Sequence, residues 1–301
     1  MLVYDRIASN KRASWLLFFF FCLIVIALGF IIGELFGGGL GLSGMTIALI
    51  FSIIFALFSY YYSDSIVLSI SSAQPADPKK YAFLYNTVEG LAIASGLPMP
   101  RIFIIEDTAP NAFATGRSPD KAVICVTTGL LQKMNRLELE GVLAHEMSHI
   151  KNFDVRFMTL VVVLVGLIAL MADIILRSFF YGSKSNKDSG KAGIIIITVG
   201  LIFAIITPII AQLIKLAISR KREFLADADA ALLTRYPDGL ASALKKLEAD
   251  KEPLEAANKA TAHLYIVNPL KEDAKGFGGW LEGLFSTHPP IKERVKALEA
   301  M

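Results

Sequence analysis

Four apolar stretches constrain this chain more than any other feature: Trp15 to about Ile32, Met45 to about Tyr61, about Phe157 to Leu176, and about Ile194 to Ile214. Each approaches the length at which an α-helix crosses a hydrocarbon layer of about 30 Å. They account for a composition that is 54% hydrophobic, with a mean hydropathy of +0.54, which is not that of a soluble protein. The chain is therefore expected to cross a membrane as two helical hairpins, within 1–62 and 155–218. The stretches 63–154 and 219–301 are expected to gather outside the bilayer. Arg6, Lys11 and Arg12 give the chain the basic start of a signal peptide. The first apolar stretch is too long for one, and a second follows almost at once.

Charge placement sets the expected orientation. Arg6, Lys11, Arg12, Lys79, Lys80, Lys151, Arg156, Lys215, Arg220, Lys221 and Arg222 lie on the side of the N-terminus, against Arg177, Lys184, Lys187 and Lys191 on the other. The positive-inside rule puts the larger group in the cytoplasm and the chain in the cell (inner) membrane as a multi-pass protein. The net charge of +3 is modest and the basic residues flank the apolar stretches, so no nucleic-acid partner is expected. Cys22 lies in an apolar stretch and Cys125 in a strand-like run, which argues against a disulfide, and no Cys/His cluster suggests a zinc finger.

Within 63–154 the pattern changes. Asp77 before Pro78 is a helix start, and Tyr81 to Ala94 carries helical apolar spacing until Gly96 and Pro98 stop it. Arg101 to Glu106, Asn111 to Gly116 and Ala122 to Val126 read as short strands of a small sheet, the last two joined by the turn RSPD. Asn135 and Glu138 have capping-box spacing and open a helix that runs through HEMSH, His145 to His149. The loop RSFFYGSKSNKDSGK between the last two apolar stretches is polar. The final third returns to charged amphipathic helices, with a loop GFGG near Trp280.

HEMSH carries the chemistry. Histidines four apart share one helical face, one turn from each other, and can hold one metal ion. With Glu146 beside the first, this is the H-E-x-x-H pattern of zinc-dependent peptide hydrolysis. The histidines bind zinc, and the glutamate handles the protons of the attacking water. Such a site needs a third protein ligand. Glu223 and Asp227, four apart in SRKREFLADADAALL, share a face of a helix expected over Leu216 to Leu233. If the helices run on from the membrane through Asn152, His149 and Glu223 each sit roughly 12 Å from the hydrocarbon, at similar height on the same side. That favours Glu223.

The chain resembles the HtpX-type membrane-embedded zinc endopeptidases, gluzincins related to the CAAX prenyl endoproteases. The residues carrying the resemblance are NAFATG (Asn111 to Gly116), AHEMSHIKN (Ala144 to Asn152), REFLADADA (Arg222 to Ala230) and THPP (Thr287 to Pro290). The fold it implies is an α-helical membrane protein with four transmembrane helices and an α+β zincin-like cytoplasmic peptidase domain carrying a small β-sheet. It implies one zinc per chain on His145, His149 and Glu223, with Glu146 as general base and then acid. Asp227 would orient a zinc-binding histidine. His288 and Arg294 would line the active site, His288 donating to the oxyanion and Arg294 supporting it. Asn111, Ala112 and Phe113 would pair with an extended substrate through the backbone.

These expectations combine into a membrane-bound endopeptidase acting on membrane-protein or misfolded polypeptide substrates, in protein quality control. A CAAX-type prenyl-peptide endoprotease is the competing enzyme. A transporter or scaffold with an inactive zinc fold is the competing class, disfavoured because base and ligands are all present and the spans hold few polar groups. His263 is expected to be structural, and Asp173 and Glu34, near span ends, to be solvated at the interface.

Overall fold

The computed structural model describes residues 3–36, 40–164, 220–257, 261–269 and 289–301. Most of the third apolar stretch, all of the fourth, the loop between them, the GFGG loop and His288 lie outside the described residues.

Helix α1 (Val3–Phe36) and helix α2 (Gly41–Ile70) pack side by side. Among the described residues no single helix is long and apolar enough to cross a membrane; the two parts of α2, Gly41–Phe55 and Leu57–Ile70, bent by 51°, reach that measure together. Large apolar side chains lie on both faces of this pair: Leu17, Phe18, Phe21 and Val25 are buried, and the outer face is apolar too. Ser14, Ser52, Ser59 and Ser63 are buried, whereas Trp15, Leu16, Phe19, Phe20, Ile47, Ile50, Ile54 and Phe58 are exposed. Such an apolar outer face is costly in water.

Beyond α2 comes a mixed four-stranded sheet in the order β1-β2-β4-β3. Its strands are β1 (Gln74–Pro75), β2 (Arg101–Ile105), β3 (Ala112–Thr115) and β4 (Val123–Thr127). β4 runs parallel to β2 and antiparallel to β3, so it lies between them. β1 is absent from the sequence reading, being only two residues long. Helix α3 (Ala82–Ser95) starts later than Asp77 suggests, because the Asp77 carboxylate accepts from the Lys79 N–H and closes a turn first. It stops at Gly96, whose φ of 69° only glycine adopts at little cost. The short helix α4 (Thr128–Lys133) is capped by Thr127.

Helix α5 (Arg136–Lys151) carries HEMSH and opens on the Asn135–Glu138 capping box. It is covered by the sheet, by α7 (Arg220–Thr234) and by α8 (Pro237–Ala249), with α9 (Ile291–Leu298) closing over α7 and α8. A β-carbon on Gly141 would come 2.7 Å from the Leu240 nitrogen, so its absence lets α8 lie directly on α5. Glu138, nearly buried, accepts from Ser242 and Lys246 of α8, each at 2.6 Å.

The helix through HEMSH does not continue past Asn152. α5 ends at Lys151, Asn152 and Phe153 form a turn, and a new helix, α6, begins at 154 and is described over 154–164. Phe153 has φ 58°, a conformation that costs an aromatic residue on the order of 1–3 kcal/mol. The Lys11 ammonium lies 4.4 Å from its ring centroid. The height estimate that assumed a continuous helix is thereby corrected. The turn directs Asp154, first residue of α6, back toward His149. α6 packs Phe157, Leu160, Val161 and Leu164 against Leu17, Phe18, Phe21 and Val25 of α1.

Candidate metal centre

His145 and His149 project from one face of α5 with ring centroids 4.7 Å apart, planes at 89° and Nε2 atoms 3.2 Å apart. Glu223, in the first turn of α7, faces both: Oε2 is 3.7 Å from His145 Nε2 and Oε1 is 3.5 Å from His149 Nε2. All three side chains are buried. Ligands held at about 2.0–2.1 Å around a tetrahedral zinc ion lie roughly 3.3–3.4 Å from one another. The three edges of this triangle therefore fit zinc, as does the N,N,O donor set.

Each histidine is gripped at its other nitrogen by a carboxylate. His145 Nδ1 lies 2.9 Å from Asp227 Oδ1 and His149 Nδ1 lies 3.1 Å from Asp154 Oδ2. With Nδ1–H donating to the acid, Nε2 presents its lone pair to a metal. Arg294 Nη2 is also 3.4 Å from His145 Nδ1, but that nitrogen cannot accept while it donates to Asp227. The shorter contact fixes the tautomer.

Arg294 is wholly buried and forks onto Asp227, Nε to Oδ2 at 2.8 Å and Nη2 to Oδ1 at 2.6 Å. Nη1 donates to the Ile266 carbonyl at 3.2 Å and lies 3.7 Å from Glu223 Oε2. The guanidinium is thus committed behind His145 and Glu223, a different place from the oxyanion-supporting one expected from the sequence. Three further residues complete the surroundings. Arg222 Nε pairs with Asp154 Oδ1 at 2.9 Å, and Asn10 Nδ2 donates to the same oxygen at 2.7 Å. Asp229 accepts from Ser148 of α5 at 2.9 Å and from Asn152 at 3.1 Å, tying α7 to α5 where Glu223 meets the histidines. Sequence reasoning missed all of these. Asp154, five residues after His149, was the one local signal available.

The buried groups titrate far from their ordinary positions. Burial drives His145 down to about 4, against the pull of Asp227. Burial also opposes charge on His149, but Asp154, Glu223 and Glu146 overcome it and raise the imidazole to about 9. Glu146 is pushed up to about 7 by burial; the charge of His149 and a hydrogen bond from the Ala114 backbone oppose the rise, while Glu223 adds to it. Asp227 is held down at about 2, despite burial, by Arg294 and His145.

The residues expected on the substrate strand are enclosed. Asn111 and Phe113 are buried, Asn111 Nδ2 donates to the Val267 carbonyl at 2.9 Å, and the Ile266 N–H donates to the Ala112 carbonyl at 3.0 Å. Phe113 meets Tyr265 edge-on, centroids 5.0 Å apart. Segment 261–269 therefore occupies the outer edge of β3 at Ala112, and the Ala114 backbone bonds Glu146. His263, expected to be structural, is buried against the Met158 carbonyl at 3.4 Å.

Residues 78–301 match the family described as Peptidase family M48. The chain is 45% identical over 299 residues to a "Protease HtpX homolog" of Dictyoglomus thermophilum, covering 99% of this chain and 94% of that one. Identity to the protein of the same name from Thermoanaerobacter pseudethanolicus is 45% over 302 residues, covering 99% and 98%. To that of Listeria monocytogenes it is 41% over 310 residues, covering all of both. Among solved structures, the crystal structure of S. mikatae Ste24p shares the fold with a TM-score of 0.51 and 18% identity, over 98% of this chain and 67% of that one.

Proposed function

The chain belongs to peptidase family M48 and is a zinc metallopeptidase, and from that premise we propose that it is a multi-pass membrane endopeptidase that cleaves membrane-protein or misfolded polypeptide segments beside the cytoplasmic face of the bilayer. The observation that carries the chemistry is the buried triangle of His145, His149 and Glu223, with edges of 3.2–3.7 Å and the Glu146 carboxylate among its neighbours. Zinc, held by those three residues, supplies the Lewis acidity that activates water and polarises a peptide carbonyl at neutral pH.

The chain's own residues do the rest. Glu146, with a pKa near neutrality, takes a proton from the attacking water and returns it to the leaving amine. Asp227 and Asp154 hold the two imidazoles in the ligating tautomer, and Arg294 keeps Asp227 ionised in a buried setting. Cleavage requires an extended substrate backbone, and the family resemblance is the ground for proposing that it pairs with β3 by main-chain hydrogen bonds. His288 is proposed, from the sequence alone, as an oxyanion donor.

Membrane placement is supported by the exposed apolar face of the α1–α2 pair and by the four apolar stretches. Four transmembrane helices, with catalytic parts in the cytoplasm, remain the arrangement that the basic residues favour. The testing experiment uses the full chain in membranes and in detergent, with casein as substrate and zinc content measured alongside. Glu146→Gln is expected to keep zinc and lose cleavage, whereas His149→Ala loses both. Normal cleavage by Glu146→Gln would reject the mechanism. Recovery of the intact protein in the soluble fraction would reject the membrane placement.

A further inference from the structure

Among the described residues, four arginines are buried or half-buried, and two of them, which sit together, have no acid partner. Arg294 forks onto Asp227, and Arg222 pairs with Asp154. Arg156, the third residue of α6, is only 7% exposed, and its Nε is buried without a hydrogen-bond partner. Arg117, just after β3, has its Nη1 buried without a partner as well. No ion pair to a described residue compensates either guanidinium.

Instead of acids, aromatic rings hold the two arginines. The Arg156 Cζ lies 5.1 Å from the Tyr60 ring centroid and 5.9 Å from that of Trp15. The Arg117 Cζ lies 5.7 Å from Tyr60 and 4.7 Å from Tyr61. Both cations therefore share Tyr60. The segments that carry them are tied through one hydroxyl: the Gly116 N–H donates to Thr159 Oγ1 at 3.4 Å, and Thr115 Oγ1 meets the same hydroxyl at 2.9 Å. Gly116 must be glycine for this turn, with φ 135° and room for no β-carbon beside the Lys121 carbonyl.

The location of the pair selects its partner. Trp15 opens the exposed apolar face of α1, and the exposed Tyr61 and Tyr62, with half-buried Tyr60 beside them, stand near the end of that of α2, so the arginines lie near the level where both faces end. Amphipathic rings at that level mark the headgroup region of a bilayer. A buried cation without a counter-charge is costly, and a phosphodiester offers oxygens that fit the guanidinium fork. We propose that Arg117 and Arg156, framed by Trp15, Tyr60 and Tyr61, form a binding site for the phosphate of an anionic phospholipid headgroup. The site rests on the membrane placement above and is independent of the peptidase chemistry. Bound lipid would fix α2 and α6 against the end of β3, the strand proposed above to pair with substrate.

The test reconstitutes the full chain into phosphatidylcholine nanodiscs with increasing phosphatidylglycerol, and measures retained phosphatidylglycerol by native mass spectrometry after release into detergent. Wild type is expected to retain it saturably. Arg117→Gln and Arg156→Gln should each weaken retention about fivefold, and both together roughly thirtyfold, with Arg156→Lys in between. Arg117→Gln, at a half-buried position, serves where Arg156→Gln fails to fold, and zinc content confirms an intact peptidase centre in each variant. Equal retention by wild type and double variant would overturn the site. Displacement of the lipid by millimolar inorganic phosphate would reassign it to a soluble anion, and displacement by an acidic peptide would reassign it to substrate; either overturns the lipid assignment. A wild type that integrates into nanodiscs without phosphatidylglycerol preference sinks this inference alone, whereas one that fails to integrate sinks the membrane reading.

Discussion

Asn10 Nδ2 donates to Asp154 Oδ1 at 2.7 Å across 144 residues of sequence, and the other oxygen of Asp154 holds His149 at 3.1 Å. The first helix of the chain thus reaches the metal centre through one carboxylate. Groups that hold a ligating histidine commonly influence metal affinity by about 10–100-fold. Asp154→Asn is expected to weaken zinc binding toward the upper end of that range, and Asn10→Ala, one bond further out, by about tenfold or less. Chelator competition measures both. Wild-type affinity in Asp154→Asn would remove this carboxylate from the metal centre.

Zinc binding should release a proton. His149, raised to about 9 by Asp154, Glu223 and Glu146 against the effect of burial, is protonated at neutral pH before metal binds, whereas His145, lowered to about 4, is not. Zinc requires both Nε2 lone pairs. Between pH 7 and 9, affinity should therefore rise about tenfold per pH unit and level off above the His149 pKa. Calorimetry in buffers of different ionisation enthalpy should find about one proton released per zinc at pH 7. An affinity independent of pH over that window would contradict the assignment.

Arg294 and Asp227 form a buried, bidentate pair, so removing either partner alone leaves a charge without its counter-ion. Arg294→Met is expected to cost roughly 3–5 kcal/mol, read as a large fall in the thermal midpoint of detergent-solubilised protein. The double variant Arg294→Met/Asp227→Leu should be less destabilised than the sum of its singles. Arg294→Lys keeps the charge but cannot reproduce the fork, and should rescue stability only in part. Additive single effects would show that the two residues act separately.

Gly141 lies on the face of α5 that meets α8, where a β-carbon would come 2.7 Å from the backbone of Leu240. Alanine has the better helix propensity, yet Gly141→Ala is expected to destabilise by about 1–3 kcal/mol, because backbone must move rather than a side chain. Gly90, in α3, has nothing near its position, so Gly90→Ala is the control and should be neutral or stabilising. A thermal midpoint unchanged in Gly141→Ala would mean that α8 yields without cost.

Much of this was readable along the chain because it is local. HEMSH places His145 and His149 on one face by helical spacing alone, Asn135 and Glu138 announce the start of α5, and Gly96 marks the end of α3. The strands at Arg101, Asn111 and Ala122 carry enough apolar β-forming residues to be located, but not to be ordered. That β4 lies between β2 and β3 depends on how the sheet packs against α5.

What the sequence by itself determined is the chemistry: a histidine pair with its glutamate, and a third acid returning on a later helix. Tertiary structure decided which groups other than Asp227 hold those ligands. Asp154 reaches His149 only because the chain turns at Phe153, against that residue's backbone preference, and Asn10 and Arg222 meet Asp154 only because α1, α6 and α7 converge there. Arg294 turned out to stand behind the metal ligands, drawn to the buried charge of Asp227. The reason is physical: periodicity records which residues share a face, whereas the partner of a buried charge is chosen by whatever packing brings within about 3 Å of it.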